Sequence, residues 1–162
     1  MNRRWEAALV SGLVGLVLVA SAAAARAADS APTTPRLSGQ SEDLDYAAAR
    51  KAIEAGDFAA AIPLLEKVVA RDGANADTYN SLAYATRRNG DPTRSIPLYQ
   101  KALALDPKHR GAHEYIGEAY LALGDIAKAR EHLATLDRLC FLPCAEYRDL
   151  KKAIEAFQAR GR

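Results

Sequence analysis

The chain has 162 residues, and 49% of them are hydrophobic, with Ala supplying much of that share and aromatics only 7%. Such a length fits one domain, and an Ala-rich, aromatic-poor composition favours helix over strand. A formal net charge of +2 gives no electrostatic case for nucleic acid or anionic lipid as a partner.

Residues 1–27 read as a secretory signal. Arg3 and Arg4 form the positive start, and Ala7 to Ala25 is uncharged and mostly apolar. Ala25-Arg26-Ala27 puts small residues at the two positions a signal peptidase reads, so cleavage is expected after Ala27. The competing reading keeps this segment as an inner-membrane tether, because 19 uncharged residues just reach the spanning range. No Cys lies nearby for lipid attachment, and Trp5-Glu6 follows the twin arginine where that export signal wants an apolar residue. The expected location is periplasmic or secreted. Cleavage removes Arg3, Arg4, Arg26 and Glu6 and leaves the remaining charges balanced. Residues 28–41 contain Pro32, Pro35, Gly39 and several Ser and Thr, the composition of a disordered leader.

From residue 42 onward the chain keeps a register. Gly56-Asp57, Gly90-Asp91 and Gly124-Asp125 recur every 34 residues, and a fixed period of this length marks a helical repeat array. Three units follow, 42–75, 76–109 and 110–143. Each reads as two antiparallel helices, predicted over 43–55 and 58–71, then 77–89 and 92–105, then 111–123 and 126–139. The Gly suits the left-handed position that ends a first helix, and the Asp suits the N-cap of the second. Small residues share one position (Ala49, Ala83, Gly117) and another (Ala61, Ser95, Ala129). Larger ones align as Leu65, Tyr99 and Leu133, and as Val68, Ala102 and Leu136. Ile62 and Ile96 match, with Arg130 the outlier. Pro63 and Pro97 recur at one place in the second helices and are expected on the solvent side, bending each helix slightly.

A seventh helix is predicted over 144–160. Tyr147, Leu150, Ile154 and Phe157 form one apolar stripe at three- and four-residue steps. That stripe suits a cap over the last repeat helix, on Leu133 and Leu136, and arrays need such caps for solubility. Cys140 and Cys144 are the only cysteines. In an exported chain an even number implies a bridge. Residues one helical turn apart have Cα atoms about 6 Å apart, within the range a disulfide accepts. The alternative is a redox-active or metal-handling pair, although the spacing is not C-x-x-C.

No catalytic constellation stands out, and the chain is expected to be non-enzymatic, with no cofactor and no metal. His109 and His113 stand four apart and could share a metal, but two ligands make a poor site, and His132 belongs to another helix. Glu114 and Glu118 also stand four apart, a spacing that more often makes a solvated face.

Tyr79, Leu82, Ala83, Gly90, Asp91, Tyr99, Ala102 and Pro107 in the middle unit resemble the tetratricopeptide repeat family. So do Ile116, Gly117, Tyr120, Gly124, Ala129 and Leu136 in the third. The first unit departs from the pattern, with Ala48 and Ala52 where large residues are expected. The resemblance implies an all-α, right-handed α-solenoid of three 34-residue helical hairpins plus a C-terminal capping helix. It also implies a protein–protein interaction scaffold or adaptor that takes a peptide or protein partner in a groove lined by the first helices. Carried over position by position, the groove residues are Tyr46, Arg50, Asn80, Tyr84, Arg87, Arg88, Glu114 and Glu118. The family's clamp for a C-terminal carboxylate is absent as a set, since Tyr46, Arg50, Tyr84, Gly111 and Tyr115 occupy or adjoin its places. The tail from Leu139 to Leu150 resembles that of small exported repeat proteins of Gram-negative bacteria, which names no partner.

Overall fold

Each Gly-Asp pair turns one helix into the next. In the computed structural model, which describes residues 43–161, Gly56, Gly90 and Gly124 have φ of 75°, 94° and 82°. That region is open to glycine at no steric cost. The Gly N–H donates to the carbonyl three residues back and the Asp N–H to the carbonyl five back: Asp57 to Ala52 at 2.8 Å, Asp91 to Thr86 at 3.1 Å, Asp125 to Tyr120 at 2.8 Å. Two bonds of this kind close a helix end. The same Asp side chains then accept from Ala60, Arg94 and Lys128 N–H at 3.0, 2.9 and 3.0 Å and open the following helix. The expected signal segment 1–27 and leader 28–41 lie outside the described residues.

The described residues form seven helices and no strand: α1 (Leu44–Glu54), α2 (Phe58–Arg71), α3 (Ala76–Arg88), α4 (Pro92–Leu105), α5 (Arg110–Ala122), α6 (Ile126–Leu139) and α7 (Ala145–Arg160). The array is all-α, built of paired helices. None of these helices is long and apolar enough to cross a membrane. Asp43 caps α1, and its carboxylate also takes the Arg71 guanidinium at 2.7 Å. That contact, with Asp45 to Arg71 at 2.7 Å, ties the start of α1 to the end of α2.

The repeat positions become the core. Ala49, Ala83, Ala61, Ser95 and Ala129 are all buried, and each lets two backbones approach. Leu65, Tyr99, Val68, Ala102 and Leu136 fill the space between them, while Leu133 is only half-buried. Pro63 and Pro97 face solvent, and α2 and α4 run on through them.

The last helix does more than cover α6. It packs on both α5 and α6, with Leu150 and Ile154 buried and Tyr147 and Phe157 half-buried against the same cluster as Ile116, Tyr120 and Leu136. Its register explains why. Leu82, Ile116 and Leu150 are successive members of the 34-residue series, as are Thr86, Tyr120 and Ile154. So α7 docks as the first helix of a unit does. Cys140 ends α6, Cys144 begins α7, and the two are disulfide-bonded with Cα atoms 5.9 Å apart. Phe141 and Leu142 project from this small ring into solvent.

Candidate interaction face

The first helices of the pairs contribute to one open face. Tyr46 and Arg50 of α1, Asn80, Ser81 and Tyr84 of α3, and Tyr115 of α5 line a pocket of about 340 Å³. Its volume lies within the usual range for a binding cleft. Tyr46 Oη lies 3.4 Å from Ser81 Oγ and links α1 to α3. Asn80 contributes a buried Oδ1 that accepts no hydrogen bond. An acceptor left in that state is costly.

Aromatic rings run across the face. Tyr84 lies between Phe58, with ring centroids 5.9 Å apart, and Tyr115, at 4.9 Å. Arg88 stacks 4.8 Å from the Phe58 centroid and donates to Tyr84 Oη at 2.7 Å. Phe58 was absent from the expected set because it sits on a second helix, at the first residue after the Asp57 cap.

Other expected residues are occupied within the fold. Arg87 and Glu118 form an ion pair at 2.7 Å across α3 and α5, with side chains 13% and 27% exposed. Arg87 also donates to Tyr99 Oη at 3.4 Å. Both residues thus brace two helices together before any partner arrives. Arg50 pairs with Glu54 at 3.6 Å on the exposed side of α1.

Glu114 departs from the expected solvated face. It is buried, with no hydrogen bond or ion pair to any described residue. Burial pushes its carboxyl up to about 7, and Glu118, Asp149 and Glu146 push the same way against Arg87. Its spacing from Glu118 does not make a working carboxylate pair, because Glu118 is committed to Arg87.

All three histidines are satisfied within the fold, and His109 does not meet His113. His109 caps α5: its Nδ1 accepts from Ala112 N–H at 3.0 Å, so Nε2 is the donor to Asp77 Oδ1 at 3.0 Å. Its position is that of Asn75, which caps α3 one repeat earlier. His113 instead meets His132 of α6, with their Nδ1 atoms 2.9 Å apart. His113 Nε2–H donates to Pro107 O at 3.1 Å, so its Nδ1 accepts from His132. Burial, and then His113, hold the His132 ring down to about 4. Among the described residues no group of three or more His, Cys, Asp or Glu side chains converges as a metal site would.

Two family profiles, each described as tetratricopeptide repeat, match residues 46–108 and 87–154. The chain belongs to the tetratricopeptide repeat family. No curated protein sequence matches it. Among solved structures, this tetratricopeptide repeat chain is similar to MamA, residue 41 to the end, from Desulfovibrio magneticus RS-1. That match has 28% identity and a TM-score of 0.57, over 59% of this chain and 54% of that one. The chain therefore spans about half the length of that relative. It is also similar to PcrH in complex with the chaperone-binding region of PopD, with 22% identity, a TM-score of 0.65, and coverage of 76% and 98%. A third likeness is to the Yersinia enterocolitica type III secretion chaperone SycD in complex with a peptide of the translocator YopD. Its identity is 17% and its TM-score 0.62, with coverage of 73% and 92%. At such identities the last two speak for the fold alone.

Proposed function

We propose that this chain is a non-enzymatic interaction scaffold of the bacterial cell envelope that binds a protein or peptide segment across the face of α1, α3 and α5. The observation that carries the reading is the open pocket that Tyr46, Arg50, Asn80, Tyr84 and Tyr115 line on the first helices. Tyrosine and arginine are the side chains enriched at binding hot spots. SycD and PcrH were each solved with a segment of another protein bound, which supports the same use here. The envelope location rests on residues 1–27, read as a cleaved signal. An uncleaved signal would tether the same scaffold to the inner membrane.

The cysteines are assigned to structure in this reading. Their bridge fixes the step from α6 to α7, and a redox or metal-handling role is the competing use of the pair.

The test is a pull-down from envelope extract with protein starting at Ala28, beside a variant carrying Arg50→Ala, Tyr84→Ala and Arg88→Ala. A partner retained by the first and lost by the second supports the face. Equal recovery of every partner by both would sink it. The N-terminus of protein recovered from cells decides between release, with a start at Ala28 in the soluble envelope fraction, and a retained anchor.

A further inference from the structure

Phe141 and Leu142 stand where large apolar side chains are seldom left. They are 101% and 72% exposed, and Pro143 beside them is exposed as well. Leu44, Leu105 and Leu123 are also exposed, but scattered single residues of this kind are ordinary. The adjacent pair differs because it is held in place. The Cys140–Cys144 bridge closes a small ring around it. Arg148 Nη1 donates to the Pro143 carbonyl at 2.9 Å and ties that ring to α7. A loop fixed in this way gives up little freedom when its tip is buried against a partner.

Arg148 also marks the side of α7 on which the ring stands. Arg148, Lys151, Lys152 and Glu155 share one side of the helix by their spacing, and all four are exposed. Leu150 and Ile154 point elsewhere, into the core. None of the three cations makes an ion pair with a described residue. Glu155 is the one acid at that spacing, and the exposed Asp149 flanks it. The near-balanced charge of the whole chain conceals this local excess. The result is an apolar tip with a basic strip running from its base along α7.

We propose that the ring and this strip make a peripheral contact with an anionic lipid surface, Phe141 and Leu142 entering the acyl boundary and Arg148, Lys151 and Lys152 meeting head-group phosphates. Charge complementarity selects this occupant. A protein pocket for the tip would need an acidic rim matched to the strip, whereas an anionic bilayer offers both chemistries side by side. Two apolar side chains and three cations against one acid give reversible attachment rather than anchorage. The face of α1, α3 and α5 contributes none of these residues, so the contact is independent of the binding reading above.

The test uses the chain from Ala28, which contains every described residue and lacks the apolar segment 7–25 that would act on vesicles by itself. It also lacks Trp5, the only tryptophan, so Phe141→Trp places a single indole at the tip. Vesicles are made of phosphatidylcholine alone or of an equal mixture with phosphatidylglycerol, at low salt. The expected result is co-sedimentation with the mixed vesicles, with a blue shift of the indole emission and quenching by brominated acyl chains. Partitioning should fall at least about tenfold in Phe141→Ser/Leu142→Ser and by a similar factor in Arg148→Gln/Lys151→Gln/Lys152→Gln. The substituted positions are all exposed, so both variants are expected to fold, and circular dichroism checks that they do. No co-sedimentation overturns the proposal. So does binding that the ring variant keeps in full, an indole that stays unshifted, or equal binding to both kinds of vesicle. A protein held by the unchanged chain and lost by the ring variant, without vesicle binding, would give the tip to a protein pocket instead.

Discussion

Leu150 of α7 lies so close to Gly117 of α5 that a Cβ on Gly117 would sit 2.7 Å from both Leu150 methyl carbons. In the first two units the equivalent residues are Ala49 and Ala83, both fully buried. The glycine thus makes room for the branched side chain that closes the array. Gly117→Ala is expected to destabilise by about 1–3 kcal/mol through overpacking, although Ala is the better helix former by about 1 kcal/mol. Leu150→Ala should cost about 2–5 kcal/mol through the cavity it leaves. In the double variant the added methyl has space, so the combined cost should fall short of the sum. Urea unfolding of the four proteins measures the difference, and strict additivity would refute the contact.

Removal of residues 144–162 should destabilise the whole array. Leu150 and Ile154 are buried, each worth about 1.5–3 kcal/mol, against a total domain stability of about 5–15 kcal/mol. The bared faces of α5 and α6 should also drive association. Reduction of the Cys140–Cys144 bridge should do much less, because the closed loop is short and its entropic contribution falls at the small end. Thermal melts and sedimentation of the truncated and reduced proteins compare the two. A monomeric truncated chain with an unchanged midpoint would show that α7 is not a cap.

Acid should act on this fold through opposed groups, among them His132 and Glu114. His132 titrates near 4 when folded and near 6.5 when unfolded. Between those values the unfolded chain binds the extra proton, so stability is lost as the pH falls through that window. Glu114 does the reverse: its folded value is about 7 and its ordinary one 4.5, so stability rises as the pH falls between them. Glu114→Gln removes the second effect. The variant should be more stable than the parent at pH 8 and should lose stability more steeply between pH 7 and 4.5. Melting curves at pH 8, 6.5 and 5 provide the check, and parallel curves for the two proteins would contradict it.

Two ion pairs on the face should differ in strength. Arg87 and Glu118 meet at 2.7 Å with side chains mostly covered, whereas Arg50 and Glu54 meet at 3.6 Å with side chains 56% and 67% exposed. Double-mutant cycles should give the exposed pair about 0.3–0.5 kcal/mol. The covered pair should give about 1.5–3 kcal/mol, the range for hydrogen bonds to charged groups. Equal couplings would mean that Arg87 does not brace α3 to α5.

The parts of this molecule legible in its sequence are those set by local chemistry. A glycine that needs positive φ and an aspartate that caps are read from two adjacent residues, and Gly56-Asp57, Gly90-Asp91 and Gly124-Asp125 therefore mark the helix boundaries. The helices α2, α4 and α6 begin and end where the register places them. Contacts across the hairpins were not legible. His113 and His132 are 19 residues apart, and their meeting depends on how α5 lies against α6. Glu114 reads as surface because its spacing from Glu118 is that of an exposed stripe, yet the folded array buries it. His109 left a trace that went unread: it stands 34 residues after Asn75, a recognised capping residue, and does the same work with a ring nitrogen.

The register of α7 makes the array a countable object. Leu150 occupies on α5 and α6 the place that Ile116 occupies on α3 and α4. The surface that receives α7 is thus built at the same register positions as the one that receives α5, with Gly117 in place of Ala83. A second copy of residues 110–143 spliced in before Cys144 would meet a ready seat on one side and offer the same seat to α7 on the other. The reach of the interaction face could then be lengthened in whole steps of one hairpin, with α7 and its disulfide carried along once the surplus copy of Cys140 is replaced by Ser.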